Sequence, residues 1–308
     1  MYKRQPLALA NVALGASLLL LSVVTDPRFI SLSYTKLDNP VIRMGWTVTR
    51  DLANMGIVLV LVAIGLATIL RIESYQAKKT LPLLIAVALL INFTPVILGI
   101  VVDASNIVMH YFLQNFGDSL TLLSSAFKKQ YDLTWDAWAA IANSEKNQID
   151  FTPLGATICL IAFAIIAAVV YLIYSVLFIC RYLAIWILVI LSPLAFLAYV
   201  LPATRGYFSK WWNTFLQWCF IGVVAAFFLY LSMGLMSLAN EGQLTSQIQI
   251  QGSQEQAIRQ MQGVFDTLLP YGIIIAFLAI SFIAVLSVSA TGASSVINFT
   301  KKGGKQII

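Results

Sequence analysis

Apolar stretches of bilayer-crossing length recur along this sequence and constrain its fold more than any other feature. A helix needs about 20 predominantly apolar residues to cross the hydrocarbon core. The fourth and fifth stretches even form one nearly unbroken apolar run over residues 155–201. We therefore predict an all-α protein, a polytopic transmembrane helix bundle with six to seven hydrophobic segments and amphipathic surface helices. The predicted spans are residues 7–24, 52–70, 81–102, 155–178, 182–201, 212–238 and 268–290.

The composition indicates that lipid is the solvent for most of the chain. Apolar residues make up 60% of the 308 residues and charged residues only 10%, whereas soluble domains carry about 25% charged residues. A single soluble core could not bury that much apolar surface. The net charge of +6 is then read as a topology signal, because basic residues in short loops favour the cytoplasmic side.

The predicted spans divide the chain into four regions. We expect an N-terminal membrane region at 1–102, an extramembrane amphipathic loop at 103–150 and a C-terminal membrane region at 151–290, which includes a polar Gln- and Ser-rich loop at 240–267. A basic, mobile tail follows at 291–308. The first span is interpreted as an anchor, since no small-residue cleavage pattern follows it.

The start of the second helix is predicted from its capping residues. Asn39 can cap a helix, and Pro40 fits its first turn because the proline lacks only an N–H that has no partner there. A helix from Pro40 to Leu70 would be about 46 Å long. That length predicts that its first third, with Arg50 and Asp51, projects from the membrane.

Two topologies remain open for residues 155–201: one net crossing with a bent or re-entrant part, and a full hairpin. We favour one net crossing, because the short basic loops then share one side. The expected location is the bacterial inner membrane, with the tail 291–308 in the cytoplasm.

Groups that serve catalysis are scarce in this sequence. It contains a single histidine, His110, and has no P-loop, GxSxG or HExxH motif. None of the thirteen Asp and Glu residues lies inside a predicted span, whereas proton-coupled carriers place ionisable groups there. We therefore expect no enzymatic activity, no cofactor and no metal. Cys159, Cys180 and Cys219 are interpreted as small buried apolar residues.

The polar residues inside the predicted spans each allow two interpretations. Asn92 and Pro95 mark either a flexible gate or a packing kink in which Asn92 bonds to a neighbouring helix. Arg181 marks either a turn at the membrane face or a buried cation, whose partner would be a loop-end acid such as Asp51 or Asp103 or a residue of another chain. A central charge costs at least about 2.5 kcal/mol on insertion scales.

The residues around the end of the fifth span combine helix breakers with aromatic side chains. Pro193 is predicted to break the helix of that span. Lys210, Trp211 and Trp212 form either an interfacial anchor or a docking surface for a soluble partner. Gly222 and Gly234 allow close helix approach.

Several short strings resemble TrbL-like polytopic inner-membrane subunits of bacterial type IV secretion and conjugal transfer systems. The resemblance covers roughly residues 41–238. The strings are WTVTRDLANM at 46–55, LINFT at 90–94, DASN at 103–106, the segment from Arg181 through LSPLA at 191–195, Pro202, and KWW at 210–212.

The resemblance implies a non-enzymatic channel subunit that assembles in several copies and helps to translocate DNA or protein or to assemble a pilus. Its implied partners are other secretion-system subunits including separate ATPases, further copies of itself, the lipid bilayer and transient nucleic acid or protein cargo. The family's central loop would match residues 103–150. The alternative is a small-solute transporter or permease component. Partner contact or gating is expected at Arg50, Asp51, Asn54, Asn92, Pro95, Asp103, Asn106, Arg181, Pro193, Lys210, Trp211 and Trp212.

Overall fold

The computed structural model of the chain describes residues 5–26, 29, 39–71, 77–114 and 152–240, with single helical positions between 272 and 283. All regular structure within these residues is helical, which confirms the predicted all-α class. The helices are α1 (Gln5–Thr25), α2 (Pro40–Ile69), α3 (Ala77–Leu113), α4 (Thr152–Ile190), α5 (Ser192–Ala198) and α6 (Arg205–Asn240).

Four helical segments of the described chain are long and apolar enough to cross a membrane. They are Pro40–Ile69, Thr80–Leu113, Ala164–Ala198 and Arg205–Ser232. The first predicted span, residues 7–24, lies within α1 (Gln5–Thr25). Most of the predicted span 268–290, the polar loop after residue 240, the tail 291–308 and residues 115–150 lie outside the described residues.

Helix α2 begins where its capping residues predict. The Asn39 side-chain oxygen accepts a hydrogen bond from the Val41 N–H at 3.1 Å, and Pro40 is the first helical residue. The helix ends at Ile69, and Arg71 follows in the left-handed conformation with φ of 53°. The predicted helix 40–70 is therefore confirmed to within one residue.

Helix α3 is longer than predicted. The helix that contains the predicted span 81–102 continues to Leu113, so the first residues of the predicted amphipathic segment 103–150 are helical. The physical reason is a buried face that persists at helical spacing, through Val102, Ser105 and Met109. Asp103 is exposed on the same helix and does not interrupt that face.

Helix α4 runs without a turn through Arg181 to Ile190, so the predicted boundary between the spans 155–178 and 182–201 is wrong. The helix is interrupted at Leu191 instead. Gly45 of α2 approaches Ile190, and Gly56, further along α2, approaches Leu197 of α5. Because α5 therefore continues in the direction of α4, the full-hairpin alternative is wrong.

Pro95 and Pro193 each remove a helical hydrogen bond, and the hydroxyl residue directly before each of them replaces the missing donor. Pro95 cannot donate to the Ile91 carbonyl, and the Thr94 hydroxyl donates to it at 2.9 Å. Pro193 cannot donate to the Val189 carbonyl, and the Ser192 hydroxyl donates to it at 2.7 Å. Helix α3 continues through Pro95. The predicted break at Pro193 is confirmed by the separate helix α5.

The chain forms two compact units. The first comprises Met1–Phe29, His110–Phe178 and Ala225–Val285, and the second comprises Ile30–Met109, Ile179–Val224 and Leu286–Ile308. In the first unit, small buried residues allow helices to approach closely, and aromatic rings fill the remaining space. Its buried residues include Ala164, Ala167, Ala168, Tyr171, Tyr174, Ala225 and Ala226, and the Phe112 ring lies 5.4 Å from that of Phe227.

The second unit has two apolar clusters, built by α2, α3, α4, α5 and α6. One joins Ile42, Leu98, Val102, Ile185, Val189, Phe215 and Cys219; the other joins Ala53, Val60, Ile64, Leu84, Val87, Ile91, Phe196 and Val200. Trp211 packs against both clusters. Most of the predicted site residues lie on the helices that form these clusters.

Candidate functional site

Arg181 is the centre of a buried polar cluster in the second unit. Its side chain is 1% exposed. Its Nη2 donates to Ser105 Oγ at 3.1 Å and to Asn106 Oδ1 at 2.9 Å, both on α3, and to the Cys219 carbonyl on α6 at 3.3 Å. The guanidinium therefore links three helices by charge-assisted hydrogen bonds, which offset the cost of burying the cation.

The environment of Arg181 decides between its two predicted interpretations. The turn at the membrane face is wrong, since Arg181 is buried within α4. The buried alternative is confirmed, but its expected partner is not: the described oxygens around the guanidinium belong to neutral groups rather than to Asp51 or Asp103. Neutral oxygens thus accept all three described hydrogen bonds of Arg181 Nη2.

Gly222 on α6 provides the space that the Arg181 side chain occupies. A Cβ at this position would lie 2.6 Å from Arg181 Nε and 2.9 Å from Met109 Sδ. The close approach predicted for Gly222 is confirmed, whereas a Cβ at Gly234 would meet nothing within 4 Å.

Side chains from three helices donate hydrogen bonds to backbone carbonyls at the break between α4 and α5. The carbonyls of Leu188, Val189 and Ile190 each accept a side-chain hydrogen bond. Their donors are the Trp211 indole at 3.2 Å, the Ser192 hydroxyl at 2.7 Å and the Thr49 hydroxyl at 2.5 Å. Unsatisfied backbone groups cost several kcal/mol inside a bilayer, so these side chains make the break compatible with membrane burial.

An aromatic cluster surrounds the beginning of α6. Trp211 stacks on Phe215 with ring centroids 5.9 Å apart, and Trp212 stacks on Phe208 at 6.2 Å. Both tryptophans are half-buried, while Lys210 is exposed. Trp211 is thus a packing and hydrogen-bonding residue of the second unit, and Lys210 is the exposed member of the predicted Lys210, Trp211 and Trp212 set.

An ion pair lies on the surface of α2, in the first half of the helix. Arg50 donates from Nη2 to Asp51 Oδ1 at 2.9 Å, and its guanidinium lies 5.0 Å from the centre of the Trp46 ring. Asp51 and Asn54 are exposed. An exposed pair of this kind adds at most about 1 kcal/mol to stability, so these side chains are free to serve a contact surface.

Asn92 departs from its predicted packing role. Its side chain is exposed, and Nδ2 donates to the Ala88 carbonyl of the same helix at 3.2 Å. No bond from Asn92 to a neighbouring helix is found within the part of the chain that the structure describes. Pro95 is buried, beside the Thr94 hydroxyl that accepts from the Trp46 indole.

The structure brings together only some of the predicted site residues. Asn106 meets Arg181, and Trp211 meets the break before Pro193. In contrast, Asn54, Asp103 and Lys210 are exposed at separate places. Sequence reasoning missed the contributions of Thr49, Thr94, Ser105 and Ser192; for Thr94 and Ser192, the hydroxyl directly before a proline was the available signal.

The chemistry of the buried cluster is that of hydrogen bonding. A guanidinium, a hydroxyl, an amide and a backbone carbonyl can hold helices in register. Among the described residues, no group of three or more His, Cys, Asp or Glu side chains could hold a metal ion. No protein-family model matches the chain, and no curated protein or solved structure matches it either.

Proposed function

We propose that this chain is a non-enzymatic integral membrane subunit of a type IV secretion or conjugation channel. It helps to translocate DNA or protein, or to assemble a pilus. The supporting observation is that all the strings that carry the resemblance, from 46–55 to 210–212, lie in the second unit.

Polar residues of these strings also bond to one another. Trp46 donates to Thr94, and Arg181 donates to Asn106. Trp211 donates to the Leu188 carbonyl within the 181–195 string. Residues that are far apart in sequence therefore support one helix arrangement, which favours a shared scaffold over a coincidence of apolar composition.

The scaffold leaves a distinct set of side chains for partners. Asp51, Asn54, Asp103 and Lys210 are exposed and do not contribute to the buried clusters. In the proposed role these residues contact other secretion subunits, and the energy for transport comes from separate ATPases. The chain resides in the inner membrane with the tail 291–308 in the cytoplasm.

Complementation in the native host tests the proposal. A strain that lacks the chain should lose conjugal transfer or secretion, and the wild-type chain should restore it. The chain with Lys210→Glu and Asp51→Lys should reach the membrane but restore transfer poorly, whereas the lipid-facing Leu59→Val variant should restore it fully. Normal transfer and secretion in the deleted strain would contradict the proposal.

A further inference from the structure

One exposed strip of α3 carries a single polar residue. Ile85, Leu89, Asn92 and Val96 follow one another at spacings of four, three and four residues, so they share one helix face. The three apolar members are 63%, 65% and 62% exposed. Asn92 lies at the middle of the apolar run 81–102.

The Asn92 amide has more hydrogen-bonding capacity than its own helix satisfies. An asparagine side chain offers two N–H donors and a carbonyl acceptor with two lone pairs. One donor reaches the Ala88 carbonyl, and the carbonyl has no partner among the described residues. Acyl chains offer neither donors nor acceptors, so exposing this amide to lipid is costly.

We propose that this strip binds the same strip of a second copy of the chain, with Asn92 opposite Asn92. An amide is self-complementary, because each copy supplies the acceptor that the other copy's donor needs. The four-three-four spacing is that of a helix–helix seam, in which a single asparagine fixes the register of the partners. The strip carries no charge, so it offers nothing that would select a charged partner.

The exposed strip of α2 provides an internal comparison. Met55, Leu59, Val62 and Leu66 have the same spacing and are exposed, but all four are apolar. Acyl chains solvate such a face well, since packing two wholly apolar faces against each other gains little free energy in a bilayer. Asn92 therefore distinguishes the α3 strip from the α2 strip as the surface that binds the second copy.

This inference deepens the proposed function, because it names the surface through which several copies of the subunit assemble. Its test uses the purified chain alone. If the purified chain does not associate through this strip, complementation still tests the secretion role. If complementation fails, association of the purified chain still tests the strip.

Association of the full chain in neutral detergent micelles, measured by sedimentation or by energy transfer between labelled copies, tests the role of Asn92. Asn92→Leu should weaken association by about three- to twenty-fold per contact, as expected for loss of an interhelical hydrogen bond. Asn92→Gln keeps the amide and should retain most of the association. Equal association of the wild type and Asn92→Leu, or a wild type that is monomeric throughout, would overturn the proposal.

Disulfide crosslinking in native membranes tests which helix face contacts the second copy. In a background with Cys159, Cys180 and Cys219 replaced by alanine, Leu89→Cys and Val96→Cys should each give a dimer on oxidation. Leu59→Cys on α2 is the matched control and should give none. Dimers from Leu59→Cys but not from the α3 positions, or capture of a different protein by Leu89→Cys without dimer, would also overturn it.

Discussion

The indole Nε1 of Trp46 donates to Thr94 Oγ1 at 2.9 Å, and the same hydroxyl donates to the Ile91 carbonyl. Thr94 thus accepts from α2 while it replaces the donor that Pro95 removed from α3. Trp46 is only 4% exposed, and Thr94 is fully buried. One hydroxyl therefore connects the packing of two helices to the tolerance of a proline within one of them.

Thr94→Val and Trp46→Phe should be energetically coupled. Thr94→Val leaves both the Trp46 N–H and the Ile91 carbonyl without this partner, and each such buried group costs about 1–3 kcal/mol. Trp46→Phe removes the donor and also leaves a cavity where the larger ring was. Unfolding of the purified variants in detergent gives the free energies of the double-mutant cycle. Trp46→Phe should cost less in the Thr94→Val background than in the wild type, and a fully additive double variant would contradict the connected role of the hydroxyl.

Gly222→Ala should destabilise the second unit. The added methyl would lie 2.6 Å from Arg181 Nε and 2.9 Å from Met109 Sδ, and overpacking of this kind costs about 1–3 kcal/mol. Gly65→Ala is the matched control, because its methyl would meet nothing within 4 Å. That control should stabilise its helix by about 0.5–1 kcal/mol. Thermal unfolding of the two variants should therefore shift in opposite directions, and equal shifts would refute the crowding around Arg181.

The sequence predicts helices in this chain better than it predicts where they end or what their polar residues do. Hydropathy and the Asn39 cap place α2 to within one residue, because both signals are local. The end of α3 depends on burial of Ser105 and Met109, which only the neighbouring helices determine. A pattern of apolar residues therefore identifies the spans but not their extensions beyond the apolar run.

Arg181 illustrates the second difficulty. A lone cation in an apolar run predicts either a turn or an acidic partner, because those are the inexpensive solutions for a charge in lipid. The observed solution uses Ser105, Asn106 and the Cys219 carbonyl, which are neutral and separated from Arg181 in sequence. Asn106 stands out as a candidate on its own, but only the folded chain pairs it with Arg181.

Removing an acceptor from Arg181 should be more harmful than removing the cation and the acceptor together. Asn106→Leu leaves the guanidinium buried with one partner fewer, and a hydrogen bond to a charged group contributes about 1.5–3 kcal/mol. The double variant Arg181→Met with Asn106→Leu replaces a polar pair by apolar side chains, which is often close to neutral. Denaturant unfolding in detergent should rank the double variant as more stable than Asn106→Leu alone. The opposite order would indicate that the guanidinium has a stabilising role beyond these partners.

Ser192 and Pro193 should be energetically coupled. Ser192→Ala removes the hydroxyl that donates to the Val189 carbonyl at 2.7 Å, and loss of this donor in an apolar setting should cost about 1–2 kcal/mol. In a Pro193→Ala background, residue 193 regains an N–H that can donate to the same carbonyl, so Ser192→Ala should then cost much less. A double-mutant cycle on unfolding free energies measures the difference, and Ser192→Gly is unsuitable because glycine also loosens the backbone. Equal costs of Ser192→Ala in the two backgrounds would show that the hydroxyl does not replace the donor that the proline lacks.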